Sequence, residues 1–321
     1  MNQQLSIIHA YELDQSHEVD WAQAKSWTPE RGSLWLHLDR TSEQSQSWLR
    51  EESGLEAHVV HGLLASSTRP RLEVAKGGML FTLRGVNLNE NAEPSDMISL
   101  RIWVEPHRLI SLEREHLRSV AAIAELIKAH NGPKTTGALL GALLNGLTGR
   151  VGPIVDGINE QLDHLEDLIL SPEFYDDRNE LIMLRQQAIM LHRHIHPQAE
   201  VLVELSKLDH ELFDEEQARS LRNVINQNRR YIEDLEAAKN RMQVLQDELT
   251  NQLSERINHR MYAATMIAAI LLPMTIFTGL LGINVGGIPG SNSPSGFLAV
   301  CVILAVMGVV GFWIIRWCKW L

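Results

Sequence analysis

Near its C-terminus the chain reads Leu272-Pro273-Met274-Thr275-Ile276-Phe277-Thr278-Gly279-Leu280-Leu281-Gly282-Ile283-Asn284, a segment that ends one apolar run and precedes a second. No Asp, Glu, Lys or Arg lies between Arg260 and Arg316. A polar break rich in Gly, Ser and Pro, from Gly282 to Gly296, divides this region into two runs of about 20 residues, each long enough to cross roughly 30 Å of hydrocarbon. Two membrane spans are predicted. The alternative is a helical hairpin buried in the core of a soluble protein. Helices of that kind are seldom this long without a charged residue.

The charges flanking the two runs predict their orientation. Arg256 and Arg260 precede the first run, Arg316 and Lys319 follow the second, and the loop between the runs has no Lys or Arg. Because basic residues favour the cytoplasmic side of a membrane, both termini are expected to be cytoplasmic. Residues 1–5 lack the basic start and apolar core of a secretory signal, so the large N-terminal region is expected to stay in the cytosol.

The composition excludes several classes of function. All 40 acidic residues lie at or before Glu255, and the whole chain carries a net charge of −11, which disfavours nucleic acid as a partner. The acidic balance serves solubility or attracts cations. The two cysteines, Cys301 and Cys318, exclude a disulfide framework and a Cys-rich zinc site. Neither a phosphate-cradling loop ending in Lys-Ser/Thr nor a His-Glu-x-x-His or nucleophile-elbow motif occurs, so neither an ATP-driven pump nor an enzyme is expected.

The N-terminal region, residues 1–134, is predicted to be an α/β domain. Helices are expected from Ser42 to Glu52, capped by Thr41 or Ser42, from Glu56 to Ala65 and from His116 to His130. Pro106 is the turn residue of a hairpin. Alternation and β-rich composition predict six strands at Leu5–Tyr11, Ser33–Leu38, Arg71–Val74, Gly78–Leu83, Ile98–Val104 and Arg108–Leu112.

The rest of the chain reads as helical. Residues 135–213 are predicted to form a helical pair, Thr136–Leu170 and Asp176–Leu208, and residues 214–281 a stalk helix continuous with the first membrane span. An outer loop, 282–296, and a second span with a cytosolic tail, 297–321, complete the domain prediction. An apolar seam along the stalk indicates oligomerisation, with packing inside one chain explaining part of it; the seam comprises Leu221, Ile225, Ile232, Leu235, Met242, Leu245, Leu249 and Leu253.

One face of the first span differs from the others because it mixes small or oxygen-bearing residues with Met and Leu. Two interpretations stay open: close contact between helices, or the wall of a pore. In the pore interpretation Met261 and Leu272 are apolar constrictions, whereas Thr275 and Asn258 supply rings of oxygen atoms. Pro273 removes one backbone hydrogen bond and is expected to kink the helix. The face comprises Asn258, Met261, Thr265, Ala268, Leu272, Thr275 and Gly279.

The end of the first span is the sharpest candidate site. Gly279 and Gly282 allow the backbone to tighten and turn, so that Asn284 can present its amide oxygen to a cation. A ring of such amides would contact the ion largely through its water shell. The loop behind Asn284 contains no carboxylate, and a divalent ion stripped of water normally needs carboxylate, imidazole or thiolate. Passage of a hydrated ion is therefore predicted.

The motifs of this segment resemble the CorA-type divalent metal ion transporter family. Pro273-Met274-Thr275, Gly279 and Gly282-Ile283-Asn284 before a second span carry the likeness, although the usual signature is Gly-Met-Asn. Ile283 in place of Met, Leu281 in place of an aromatic residue and the Asn-Val-Gly-Gly-Ile-Pro-Gly continuation resemble the zinc transporter branch, ZntB. Motifs cover some 20 residues, while the order of domains matches over the whole chain.

The resemblance implies a fold and a function. The expected fold is an α+β membrane protein with a cytosolic α/β domain, a long stalk helix and two C-terminal transmembrane helices, assembled as a homopentameric funnel in a bacterial inner membrane. The expected function is ATP-independent Zn²⁺ transport, with uptake by proton symport implied and efflux left open; Co²⁺, Ni²⁺, Cd²⁺ and Mg²⁺ are alternative ions. Partners are further copies of the chain, lipid and divalent cations, and no cofactor is expected. By motif match Gly282, Ile283, Asn284 and Thr275 form the selectivity region.

Two further hypotheses accompany this one. His192 and His196 stand four residues apart on one helical face, a spacing that can bind Zn²⁺, although surface solvation or a helix end at Pro197 is the favoured explanation. For function, the alternatives are a magnesium, cobalt or nickel channel of the same fold and, from another class, a membrane-anchored helical scaffold or sensor without ion flux.

Overall fold

The protein was analysed as a computed structural model, which describes residues 6–66, 69–171, 178–208, 212–283, 286, 288 and 293–317. The chain divides into two compact units, Met1–Gln246 and Asp247–Leu321, called here the N-terminal and C-terminal units. Each is described by itself.

A seven-stranded sheet organises the N-terminal unit, in the order β2-β1-β3-β7-β6-β5-β4. Strands β3 and β7 are parallel, pairing Leu34 with Arg108 and Asp39 with Glu113, and the other neighbours are antiparallel. The strands are β1 Ile7–Glu12, β2 His17–Glu18, β3 Leu34–Asp39, β4 Arg71–Ala75, β5 Gly78–Gly85, β6 Ile98–Val104 and β7 Arg108–Glu113.

Helices cover both faces of this sheet. The helices are α1 Trp21–Lys25, α2 Glu43–Glu51, α3 Ala57–Leu64, α4 Arg118–Lys128, α5 Thr136–Gly149, α6 Gly152–Leu170, α7 Arg178–Lys207, α8 Glu215–Leu281 and α9 Gly296–Trp317. Alternate residues of β3 point to opposite sides: Trp35 joins one core with α4 and α5, whereas Leu34 and Leu36 join a second core with α2 and α3. The sheet is therefore buried on both faces, as is typical where helices flank parallel strands.

The predicted strands and helices of the first 134 residues are confirmed to within a few residues at their ends. The hairpin at Pro106 is closed by the Glu105 amide, which donates to the Arg108 carbonyl at 2.7 Å. Ser42 occupies the cap position of α2, without a capping hydrogen bond from its side chain. The sequence patterns missed β2 and α1, which are two and five residues long, too short for a periodic signal.

The prediction of one helix over Thr136–Leu170 is wrong. Helix α5 ends at Gly149 and α6 begins at Gly152, with Pro153 in its first turn. Pro153 has no N–H to donate to the Gly149 carbonyl, and its ring would clash with that carbonyl, so a continuous helix is disfavoured here. Proline at a helix start avoids both costs.

Three helical segments are long and apolar enough to cross a membrane by length and composition: one in α8, one in α9, and Thr136–Leu170. The last has half of its most apolar window buried inside the structure. Leu139, Leu140 and Leu143 of α5 belong to the core beneath the sheet. This segment is apolar because it packs in a protein core, which leaves α8 and α9 as the predicted spans.

In the N-terminal unit, the apolar seam of α8 is buried against other parts of the same chain. Leu235 and Met242 are fully buried, and Leu221 and Leu245 nearly so. Beside the seam, Arg241 Nη2 lies 2.7 Å from Asp163 Oδ1 and 2.5 Å from Glu166 Oε2, both on α6. Packing within one chain, the second explanation of the seam, is confirmed for these residues, because other parts of the same chain already remove them from water. Oligomerisation stays a prediction.

Candidate functional site

Within the C-terminal unit, α8 and α9 contact each other through large residues on one helix and glycines on the other. Ile270 and Met274 of α8 are partly buried. A Cβ atom added at Gly311 would lie 3.6 Å from Ile270 Cγ1, and one added at Gly308 would lie 4.0 Å from Met274 Sδ. Glycine therefore leaves just enough room for the α8 side chains, as small residues do where membrane helices pack.

The face of α8 predicted to line a pore lies on the other side of that helix. At about 100° per residue, the face centred on Leu272 and the face centred on Ile270 and Met274 stand roughly half a turn apart. Met261 and Leu272 are each 63% exposed, and Asn258, Thr265, Ala268 and Thr275 are exposed as well. Contact with α9 therefore does not explain this face, which stays open in the single chain.

The hydroxyl groups on this face are bonded to their own helix. Thr265 Oγ1 donates to the Met261 carbonyl at 2.8 Å, and Thr275 Oγ1 donates to the Leu271 carbonyl at 2.8 Å. Each hydroxyl has one hydrogen and two lone pairs, so both oxygens keep acceptor capacity directed away from the backbone. A face of this kind can accept hydrogen bonds from the water shell of a cation.

Helix α8 continues through Pro273 without a break in its helical assignment. Proline has no N–H, so the carbonyl of Ala269, one turn earlier, lacks its usual backbone donor. This carbonyl adds an oxygen acceptor within the span. Whether Pro273 also kinks the helix stays a prediction.

The outer end of α8 is closed by Gly282. Its N–H lies 2.9 Å from the Thr278 carbonyl and 3.2 Å from the Gly279 carbonyl, so one donor serves two of the last carbonyls. Gly282 and Ile283 directly follow the helix, which places the predicted signature at its C-terminal end. Asn284, the predicted ion-contacting residue, lies outside the described residues.

The predicted histidine pair lies on α7, and Pro197 lies inside that helix, so the idea that the helix ends there is wrong. The rings of His192 and His196 are 5.6 Å apart, and His192 Nε2 is 3.1 Å from Glu236 Oε1 on α8. His196 lines a groove of about 560 Å³ between these helices. In the part of the chain that the structure describes, no three His, Cys, Asp or Glu side chains are grouped closely enough to hold a metal.

The sequence patterns singled out the face of α8 that is exposed in the structure, but they missed the face of α9 that contacts α8. Gly308 and Gly311 stand three residues apart in an apolar run, and small residues at helical spacing are the usual mark of close packing in a membrane. This spacing is visible in the second apolar run of the sequence. It predicts the surface of α9 that contacts α8.

Comparison with known proteins places these features in context. The family model described as CorA-like Mg2+ transporter protein matches residues 30–317. A relative from Pseudomonas aeruginosa PAO1, "Divalent cation transporter CmaX", is 39% identical over 90% of this chain and 88% of its own. "Zinc transport protein ZntB" from Pectobacterium carotovorum PC1 is 33% identical over 99% of this chain and 97% of its own. The solved structure of full-length CmaX superposes with a TM-score of 0.84 at 36% identity and covers 98% of both chains.

Proposed function

The chain belongs to the family of CorA-like Mg2+ transporter proteins, and on this premise we propose that it carries Zn²⁺ across a bacterial inner membrane without ATP. Membership makes it a divalent cation transporter and not an enzyme, and confirms the resemblance carried by the Gly282-Ile283-Asn284 region. It also argues against the scaffold or sensor hypothesis. The identity of the ion, the direction of transport and the path of the ion across the membrane are what we propose.

Zinc is the proposed cargo for two reasons. The spans and the loop between them contain no carboxylate, the ligand that Mg²⁺-binding sites ordinarily use. A relative named as a zinc transport protein aligns along 99% of this chain. CmaX is named more broadly, as a divalent cation transporter, which favours a second candidate, a channel that also carries Mg²⁺, Co²⁺ or Ni²⁺.

The observation that carries the path is the open face of α8, opposite its contact with α9. In an isolated hairpin this face would meet lipid along the span, and the oxygen lone pairs of Thr265 and Thr275 would find no donor there. We propose that five copies place these faces around a common axis, with Asn284 at the outer mouth and Met261 and Leu272 as apolar constrictions. Both termini then face the cytoplasm.

The direction of Zn²⁺ transport and its coupling to protons belong to the same proposal. We propose uptake together with protons, with residues outside the spans or water handling the proton. The spans hold no Asp, Glu, Lys or His of their own, and His259 is the flanking imidazole.

Flux of ⁶⁵Zn²⁺ into proteoliposomes tests the cargo. Uptake that rises with an inward proton gradient and is little reduced by excess Mg²⁺ is the expected result. Uptake abolished by equimolar Mg²⁺ would favour the magnesium channel, and no uptake of any divalent ion would overturn the proposal. Asn284→Ala should lower the rate or change the order of ion preference, while Asn292→Ala in the same loop provides the matched control.

A further inference from the structure

An arginine-rich cavity lies at one edge of the sheet in the N-terminal unit, remote in sequence from the spans. Arg40 directly follows β3 and Arg114 directly follows β7, and these two strands are parallel neighbours whose last residues, Asp39 and Glu113, pair. Sites for small ligands in α/β sheets commonly lie beyond the carboxyl ends of parallel strands. The edge therefore has a topology suited to a ligand.

The cavity measures about 560 Å³, a size typical of small-molecule sites. Arg84, near the end of β5, and His194, on α7, face it together with Arg40 and Arg114. Asp96 and Glu115 are the acidic residues on its described wall. Three guanidinium groups against two carboxylates leave the cavity positive, although the chain as a whole is acidic.

The cations in this region repel one another. Burial, followed by the charges of Arg40, Arg71 and Arg84, lowers the pKa of Arg101 to about 10. Burial and then Arg114 lower the pKa of Arg40, which Asp39 partly offsets. A shift in this direction means that the positive form is penalised in the empty protein. An anion among these groups would relieve that penalty.

Three hydrogen bonds of these side chains go to backbone carbonyl groups. Arg40 Nη1 donates to the Ala65 carbonyl at 3.1 Å, and Arg101 Nη2 donates to the same carbonyl. Arg84 Nη1 donates to the Met97 carbonyl. The Nε atom of Arg40 is buried and has no hydrogen-bond partner among the described residues. The guanidinium group is suited to the planar, two-point recognition of an oxyanion.

The remaining wall of the cavity is partly apolar and partly polar. Leu64, Met97, Ile98 and Met190 supply apolar surface beside the charged groups, and Asn87 and Ser99 add polar atoms. An inorganic anion alone would leave this apolar surface and most of the volume unfilled. An anion with an organic part fits both the charge and the shape.

We propose that this cavity binds a soluble phosphorylated small molecule, with the phosphate against Arg40, Arg84 and Arg114 and the organic part against Leu64 and Met190. The site links the sheet edge to α7. Binding should stabilise the protein because a ligand that binds only the folded chain shifts the unfolding equilibrium.

The test uses the full-length protein in detergent, with isothermal titration calorimetry and thermal unfolding as the readouts. The probes are inorganic phosphate, adenosine 5′-monophosphate and adenosine. The expected result is that both phosphates bind and raise the unfolding temperature, the nucleotide more strongly, and that adenosine does neither. Higher NaCl concentrations should weaken binding, since the contact is between charges.

Variants tie any binding to this cavity. Arg114 is exposed, so Arg114→Gln should fold normally and weaken binding about tenfold or more, as the loss of a charged hydrogen bond does. The control, Arg219→Gln, removes an exposed arginine of α8 outside the cavity and should bind as the parent does. No binding of either phosphate at millimolar concentration, or unchanged binding in Arg114→Gln, would overturn the proposal. Protection by anionic lipid vesicles but not by soluble phosphates would also overturn it, by assigning the arginines to a lipid headgroup.

Discussion

Two histidines of the N-terminal unit are held neutral by their surroundings. Burial, and then the nearby charge of His37, lowers the pKa of His9 to about 4. Burial, and then Arg84 and Arg193, lowers the pKa of His194 to about 4. In the unfolded chain both would titrate near 6.5. Between these values the unfolded state binds more protons than the folded state.

Stability should therefore fall on acidification. The contribution of these histidines to the free energy of unfolding is complete above pH 6.5. It is lost as the pH falls from 6.5 through about 4. Thermal unfolding of the full chain across this range checks the direction. His194→Gln should flatten the dependence, whereas His58→Gln, at an exposed site on α3, should not. An equal slope in the parent and His194→Gln would contradict the assignment.

Thr275 offers a second experiment on a single side chain. Thr275→Val keeps the branched shape and removes the hydroxyl whose lone pairs face away from α8. We expect a several-fold loss of ion flux with little change in protein yield, measured in proteoliposomes. Thr278→Val is the matched control, because Thr278 also donates to its own helix, to the Thr275 carbonyl at 3.0 Å, but lies about 60° further from Leu272, the centre of the open face. Equal losses in both variants would contradict a special role for Thr275.

At the scale of helices, the contact between α8 and α9 depends on small residues of α9. Gly311→Ala places a methyl group in ordinary contact with Ile270 and should be tolerated. Gly311→Leu must displace Ile270, and overpacking of this kind typically costs about 1–3 kcal/mol. The unfolding temperature in detergent should therefore fall for Leu and not for Ala. Valine at 310, an exposed neighbour, provides the control through Val310→Leu.

Sequence patterns predicted elements better than the contacts between elements. Alternation identified β3 and β7 as separate strands, but their parallel pairing joins residues some 74 positions apart, as in the contact of His37 with Ser111, and no local pattern encodes it. The break between α5 and α6 was readable from Pro153. The stalk seam was read correctly as apolar, yet periodicity cannot distinguish a partner in the same chain from one in another copy. The arginine cavity was missed because its residues come from five distant segments.

For the whole molecule, the central prediction is that the open faces of α8 meet across copies. In a background of Cys301→Ser and Cys318→Ser, Met261→Cys should form disulfide-linked dimers under mild oxidation in membranes, because this position faces a common axis. Met274→Cys faces α9 and should not. Gel electrophoresis without reductant gives the readout. Cross-linking at position 274 but not at 261 would reverse the assignment of faces.

The mass of the detergent-solubilised complex tests the stoichiometry directly. Five copies are expected, and light scattering coupled to size exclusion distinguishes five from two or three. A stable dimer would leave no enclosed axis for the α8 faces, and the proposed path would fail with it.

The direction in which two hydroxyl groups donate their hydrogen bonds bears on whether the proposed path favours cations or anions. Thr265 and Thr275 donate their protons to carbonyls of α8, so the outward side of each oxygen is electronegative. A bare chloride ion needs donors, and these two hydroxyl groups have none left to offer it, whereas the water shell of a cation presents its hydrogen atoms outward. In the proposed path the two threonines therefore favour a hydrated cation over a bare anion. They do so in a span that holds no Asp, Glu, Lys or Arg.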